Sequence, residues 1–561
     1  MKNCTIIRIL VSILLTVIMC FSSIGASAIG DELQGETILH AWCWSFKTIE
    51  KNMQEIAAAG YKAVQTSPPQ ECVINRKCAE CGDKGCKHFT KNWYFHYQPT
   101  NFTLGNFQLG TKEDFKKMCK EAKKYGVKII VDIVANHVAV DLNLVSNDIK
   151  NIKDAFHGKG ELCGNGWNER YSFTQCDLLS LKDLNTHNKE IQNMIMKYMK
   201  DCLDCGAWGF RYDAAHHIEL PDEIDKGFGS DFWPTVLENA KKNGAKFQYG
   251  EVWQDKYSRF SDYAQYMDVT IVNYGNKIRD AICNRCLNHG DIIFYPSYGV
   301  GDDKLVTWVE SHDNYANEQN QYGASAWMSD DEIRVGWAIV ASRKAGVPMF
   351  FSRPVDSGGR NRAQFSEKTQ IGDKGSDLFK DPYVVAVNKF RKAMKGKSEY
   401  LRSQNNKLLI IERGSKDENG NEGMVIINWS GKSEVKSETG LSDGIYVDAV
   451  SKKESIVQNG VIYANVENEI TILTKKVEVK ENSEKVENKE NSEKIEAKEN
   501  SKKTENKEND VRVEAKENSK KAENKENSEK VEAKENSEKV ENKENSEKVE
   551  NKENTQKGEI K

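Results

Sequence analysis

The sequence predicts an α/β fold: a (β/α)8 TIM barrel interrupted by one inserted domain, then a C-terminal antiparallel β-sandwich, then a disordered charged repeat tail. Three observations carry this. Short apolar runs break into charge at four places in chain order: Val131-Asp132-Ile133-Val134-Ala135-Asn136-His137, Gly209-Phe210-Arg211-Tyr212-Asp213-Ala214-Ala215-His216-His217, Tyr249-Gly250-Glu251-Val252-Trp253 and Val309-Glu310-Ser311-His312-Asp313-Asn314. Ala207 to Phe210 read as a buried parallel strand, with Arg211 and Asp213 where it ends. Between such runs lie segments of helical period, the alternation that a parallel barrel requires. Beyond residue 397 the segments alternate as strands do, and from Lys480 a nine-residue unit repeats nine times.

In chain order, Lys2 and Arg8, an apolar stretch from Ile9 to Phe21 and the small residues Ala26-Ser27-Ala28 form the pattern of a secretory leader, residues 1–28. The first part of the barrel, 29–137, opens with a strand over 37–44. A helix follows from Lys47 to Ala59, which Ser45 caps and Gly60 ends. A second strand surrounds Ala63-Val64-Gln65. Thr111 with Asp114 resembles a capping box, Phe115, Met118 and Ala122 recur at helical spacing, and Gly126 stops that helix before the third strand. The rhythm then gives way to polar, irregular sequence over 138–188, the inserted domain, and resumes over 189–396. Strand-like segments from Lys407, Gly423, Val461 and Glu469 mark the sandwich, 397–476.

The tail, 477–561, is built on Lys-Glu-Asn-Ser-Glu-Lys-Val-Glu-Asn/Ala. Nine residues turn a helix by about two and a half revolutions, so successive aliphatic residues face opposite sides and form no coiled-coil seam. Disorder is expected, as a stalk, a spacer, a cell-wall tether or a plain solvated extension. Over the whole chain Lys+Arg 81 against Asp+Glu 85 gives no reason to invoke nucleic acid or an anionic membrane.

Cys72, Cys78, Cys81 and Cys86, with His88 close behind, lie between the second strand and the Thr111 helix. Cys78-x2-Cys81 has metal-ligand spacing and could close a zinc site, whereas an oxidising exterior would form disulfides. Both readings stand. Cys202-x2-Cys205 and Cys283-x2-Cys286 fall in helix-like segments and read as partly buried free thiols.

The four strand-end motifs, with Ala41-Trp42, Gln65-Thr66-Ser67-Pro68 and Trp327-Met328-Ser329-Asp330-Asp331, resemble the α-amylase family of glycoside hydrolases (family 13), closest to the secreted bacterial enzymes of the Bacillus subtilis type. The resemblance covers about Glu36 to about Lys475. It implies that Asp213 is the nucleophile, Glu251 the acid/base and Asp313 the transition-state stabiliser of a retaining endo-hydrolysis of α-1,4-glucan. Arg211 would favour ionised Asp213, and His137 and His312 would bind sugar hydroxyls. Tyr97, within Trp93-Tyr94-Phe95-His96-Tyr97-Gln98, would be the stacking platform. It further implies calcium held by the side chains of Asn136 and Asp183 and the main-chain carbonyls of Thr174 and His217, clamping the inserted B domain to the barrel. Many relatives carry Lys where this chain has His216, beside His217, on the leaving-group side. A family member releasing maltose or transferring glucosyl units is the alternative, and a non-catalytic glucan-binding surface protein is a further one, which the presence of all three acids disfavours. A secreted monomer acting on starch is expected.

Overall fold

The computed structural model describes residues 32–74, 81–82, 84–160, 163, 169–293, 299–317 and 325–476. The expected leader, Cys78 and the repeat tail lie outside the described residues.

Eight parallel strands form a closed barrel in chain order: β1 (Ile38–Ala41), β2 (Ala63–Thr66), β3 (Lys128–Val134), β4 (Gly209–Asp213), β5 (Phe247–Gly250), β6 (Asp268–Thr270), β7 (Leu305–Thr307) and β8 (Val347–Phe351), which returns to β1. Side chains alternate across each strand. Ile38, Ala63, Ile130, Phe247, Val306 and Val347 fill the barrel interior. Their neighbours Leu39, Val64, Ile129, Phe210 and Leu305 pack outward with the helices. On β4 the same alternation turns Arg211 and Asp213 inward, because Phe210 and Tyr212 belong to the outer layer. Gly209 lets β4 approach β5, since a Cβ there would meet the Phe247 carbonyl oxygen at 2.4 Å.

The main outer helices are α1 (Phe46–Ala58), α2 (Lys112–Lys124), α3 (Lys189–Asp204), α4 (Phe232–Lys242), α5 (Val272–Cys283), α6 (Asp330–Ser342) and α7 (Pro382–Ala393). Ser45 caps α1 and a Thr111/Asp114 capping box starts α2. Between β5 and β6 the helix shrinks to Phe260–Tyr263. The first strand ends earlier than its apolar sequence suggests, because Cys43 takes a positive φ of 58°. The β4 strand runs through Asp213 rather than stopping at Phe210, so the acid sits within its last residue.

The B-domain insertion is tied to β3 by a two-stranded ladder in which His137 pairs with Asp183. It contains the disulfide Cys163–Cys176, which no spacing in the sequence singled out.

The C-terminal strands, β9 (Glu399–Gln404), β10 (Leu408–Arg413), β11 (Gly423–Asn428), β12 (Ser433–Glu438), β13 (Gly444–Asp448), β14 (Glu454–Gln458), β15 (Val461–Val466) and β16 (Ile470–Lys475), form one antiparallel sheet ordered β9-β10-β11-β16-β13-β14-β15-β12. It folds over so that its ends meet, Arg402 Nε on β9 donating to Ser437 Oγ on β12 at 2.7 Å. One face encloses Ile410, Met424, Ile426, Val435, Tyr446 and Ile462. The other face, with Leu401, Leu409, Ile411, Val425, Ile427, Ile470 and Ile472, is continuous with the barrel core. A buried arginine completes the join: Arg413 on β10 donates to the Ser342 carbonyl at the end of α6 (2.9 Å) and to Met394 O (2.8 Å), filling carbonyls that helix ends leave unpaired. Among the described residues no helix is long and apolar enough to cross a membrane.

Candidate active site

Strand register brings the acids together at the C-terminal ends of the barrel strands. Asp132 on β3 is the partner of Arg211, which in turn is the partner of Tyr249 on β5, two residues before Glu251. Arg211 Nη1 donates to both oxygens of Asp132 (2.8 and 2.9 Å) and to Asp213 Oδ1 (2.8 Å), and Nη2 donates to Glu251 Oε2 (2.8 Å). Glu251 also accepts from the Ala214 N–H at 3.0 Å and from Trp253 Nε1 at 3.3 Å. Ala214 aims that N–H from a left-handed conformation, φ 46°, which costs a non-glycine residue about 1–2 kcal/mol. Strain of this kind gathers where a site needs a particular donor direction.

Side-chain exposure separates working groups from support. Asp132 is fully enclosed, whereas Asp213, Glu251 and Asp313 keep 10, 13 and 26 % of their side-chain surface. Arg211, Glu251 and Asp313 line a cleft with Gln65, Tyr249 and Trp308. Asp313 is carried by a short helix that Ser311 and Asn314 cap reciprocally. Just before it, Glu310 is locked by Arg353, whose Nε and Nη2 each donate at 2.7 Å.

Three carboxylates thus share one guanidinium, and Asp313 lies within its field. Burial pushes Asp132 up to about 6 and Asp313 up to about 7, and raises Asp213 as well. Burial pushes Glu251 the same way, but Arg211, His216 and the Ala214 N–H outweigh it and hold Glu251 down at about 2. Burial thus disfavours charge on Asp213 and Asp313, while Arg211 favours it on Glu251.

The aromatic and histidine candidates divide. Tyr97 donates to Asp132 Oδ2 at 3.2 Å and stacks on His312, centroids 5.0 Å apart at 2°. His137 Nε2 bonds Tyr97 O at 3.0 Å, and burial holds His137 at about 4 and His312 at about 3, so both imidazoles are neutral. Trp93 packs on Trp42 at 5.7 Å. Tyr94 is surface-exposed, edge-on to Trp93 and Phe95, and does not reach the acids. Gln98 is half-buried, and its carbonyl accepts from Val73 N at 3.0 Å. His216 Nδ1 bonds the Glu251 carbonyl at 2.8 Å, and His217 stacks on Phe173 at 4.2 Å. Both histidines line a groove with Trp253, Tyr257 and Asn273.

Of the expected calcium ligands, Asn136 and Asp183 lie on neighbouring segments of the ladder that ties the B domain to the barrel. Asn136 Oδ1 is buried without a hydrogen-bond partner, and its neighbour in the ladder is the Asp183 strand. Burial pushes Asp183 up to about 8, with His157 opposing it. An orphaned amide oxygen and an under-compensated carboxylate suit a hard cation. His157, which the sequence reading missed, lies between two acids, its Nδ1 2.5 Å from Asp183 Oδ2 and its Nε2 3.0 Å from Glu219 Oε1. Burial opposes charge on this ring, yet the two acids hold it protonated, up to about 10. Thr174 O already accepts from Gln175 Nε2 at 3.1 Å, and the His217 main chain follows Ala214 in the same turn.

Arg170 was missed too. From the B domain it donates to Glu223 (2.8 Å), to His216 O (2.7 Å) and to Tyr263 OH (2.5 Å), fastening the turn after β4. A lone arginine in irregular sequence carries no spacing that would reveal it.

The cysteines depart from the expected set. Cys72 is buried on the strand Gln70–Cys72, its thiol pushed up to about 12 by burial, and it does not join Cys81 and Cys86. Cys202 and Cys205 are buried thiols as expected, but Cys283 is exposed where α5 ends.

Comparison with known proteins places these observations. The family model described as alpha amylase, catalytic domain, matches residues 86–277. An alpha-amylase of Butyrivibrio fibrisolvens is 38 % identical over 485 residues, 80 % of this chain and 48 % of that protein. One from Clostridium acetobutylicum is 38 % identical over 429 residues, 75 % and 51 % of the two chains. The chain therefore spans about half the length of the curated relatives it matches. Among solved structures, alpha-amylase I of Eisenia fetida aligns with TM-score 0.62 at 18 % identity, covering 79 % of this chain and 97 % of its own. The Geobacillus thermoleovorans alpha-amylase complexed with acarbose aligns with TM-score 0.60 at 17 % identity, covering 80 % and 99 %. At such identities these two structures speak for the fold.

Proposed function

We propose that the chain belongs to the α-amylase family of glycoside hydrolases and is a secreted enzyme cutting internal α-1,4 bonds of starch-like glucans with retention of configuration. The observation that carries the reading is the Arg211 bridge, one guanidinium bonding Asp213 and Glu251 at 2.8 Å each beneath an open cleft. Holding two carboxylates on a single guanidinium favours the close spacing of retaining enzymes, about 5–5.5 Å, over the wider gap that admits water in inverting ones.

Asp213 attacks the anomeric carbon while Glu251 gives its proton to the departing glycosidic oxygen, forming a glycosyl ester and a free chain end. Glu251, now a carboxylate, takes a proton from water, whose oxygen displaces Asp213. Arg211 and the Ala214 N–H favour the carboxylate form of Glu251, so its work as an acid needs that hold loosened. A sugar hydroxyl that takes over the Arg211 or Ala214 N–H bond would weaken the hold on ionised Glu251. Asp313, the most open of the three acids, is placed to bind hydroxyls and to face the charge that develops on the ring. Neutral His312 can donate one N–H, whereas the single N–H of neutral His137 is given to the Tyr97 carbonyl and positions that segment.

Calcium, when bound, would be held by Asn136 Oδ1, Asp183 and the carbonyls of Thr174 and His217, and would fasten the B domain over the cleft. Secretion is supported by the leader pattern and by the Cys163–Cys176 disulfide, a bond that persists in oxidising surroundings.

A digest of soluble starch tests the reading. A rapid fall of iodine staining ahead of reducing-end release is expected, with α-configured products by NMR. Asp213→Asn is expected to abolish turnover, and Glu251→Gln to lower it on the order of 10²–10⁴-fold, with folding intact by circular dichroism. Near-normal turnover in either variant would remove that residue from its role, and β-configured products would remove the retaining mechanism.

A further inference from the structure

We propose that Cys81, Cys86 and His88 bind one zinc ion, forming a clip in the loop that leads into the aromatic wall of the cleft. One ligand atom from each of the three residues lies within 4.8 Å of the other two. Two sulfurs and an imidazole nitrogen are the donor set zinc prefers, and Cys-x4-Cys falls within the spacing of structural zinc sites. A disulfide would use both sulfurs and give His88 no part in the cluster.

The loop is shaped for convergence. Gly82 and Gly85 take φ of 79° and 70°, conformations that reverse the chain between the cysteines. The His88 N–H donates to Cys86 Sγ at 3.4 Å, the kind of bond that supports a thiolate. Among the described residues three side chains converge, and the exposure of Cys81 leaves the cluster within reach of an ion from solvent. On binding, the two thiols release their protons to water, and the site takes a divalent cation without oxidant or reductant.

The downstream end of the clip is anchored in the barrel. His88 forms an isolated antiparallel bridge with Gln370, Ile371 N donates to Lys87 O at 2.7 Å, and Asn92 Nδ2 donates to His88 O at 2.8 Å. The next residue, Phe89, packs on Trp42 at 5.3 Å and stacks on Phe365 at 5.8 Å. Trp93 and Tyr97 follow on one short helix. Zinc therefore fixes the start of the segment whose end presents Tyr97 to the acids.

The full chain, isolated under reducing conditions in zinc-supplemented buffer and then dialysed, is compared with Cys81→Ser, Cys86→Ser and His88→Ala. Metal content by mass spectrometry is expected to show about one zinc per chain, lost in each variant, with calcium content unchanged. Cobalt exchanged for zinc is expected to give the sulfur-to-metal absorption and visible bands of a tetrahedral site, weakened in Cys81→Ser. Because Cys81 is exposed, that variant keeps its fold, and circular dichroism checks this. Zinc no higher in the full chain than in Cys81→Ser would overturn the proposal. So would Cys81 and Cys86 joined as a disulfide in unreduced peptide maps of the natively secreted chain.

Discussion

Asp268 shows what a single misplaced charge does to this barrel. It opens β6 with its carboxyl buried, pushed up to about 8 by burial, with Lys304 drawing it back. Its pKa when unfolded is about 3.9, so the folded state binds the proton more tightly. The stability this provides is fully present below about pH 4 and is lost as the pH rises through about 8. Asp268→Asn is expected to raise the melting temperature by a few degrees at about pH 9 and to change it little at about pH 4, read by scanning fluorimetry. Equal curves at both values would remove burial of this carboxylate as a source of alkaline instability. At this scale legibility depended on pattern. Asp213, Glu251 and Asp313 stood out because apolar runs end on them. His157, Arg170 and Glu219 lie in irregular sequence, and their meaning arises only when distant segments meet.

The B-domain insertion is held by charge as well as by Val138, Val145, Ile149 and Leu184, which join the main apolar core. Arg170 reaches from its helix, Arg170–Gln175, to fully buried Glu223 and to the carbonyls of the turn after β4. Removing one partner strands the other without solvent, at a cost of about 3–5 kcal/mol. Arg170→Ala is expected to lower the melting temperature and to raise KM for long maltooligosaccharides more than it lowers kcat, since His216 loses its fixed carbonyl. An unchanged KM would mean that this turn does not shape the groove. The proposed calcium ion would be a second tie. Calcium chelation is expected to lower the melting temperature, because an ion bound only by the folded chain shifts the equilibrium by mass action. His157→Ala leaves Asp183 and Glu219 facing each other without the imidazole, so that calcium-dependent shift is expected to grow. Melting curves with and without chelator, in both proteins, read this directly; no shift in either would remove the calcium site.

Across the whole molecule, what the sequence made legible follows burial. Most barrel strands, hidden on both faces, were visible as apolar runs, and so were β10, β11, β15 and β16, whereas the short β6, Asp268–Thr270, and β7, Leu305–Thr307, were not read. Strands such as β12, Ser-Glu-Val-Lys-Ser-Glu with only Val435 buried, look like loop because most of their side chains meet water. The repeat tail builds no core by composition, so a chain ending at Lys476 is expected to keep the specific activity of the full chain on soluble maltooligosaccharides. A large loss of activity would show that the tail takes part in catalysis. Truncation further in is another matter. Buried Arg413 and the shared apolar face make barrel and C-terminal sheet one continuous core. Heat should therefore meet a single cooperative block: residues 32–476 are expected to melt in one calorimetric transition whose van't Hoff and measured enthalpies agree, and the sheet has no melting point of its own to be measured.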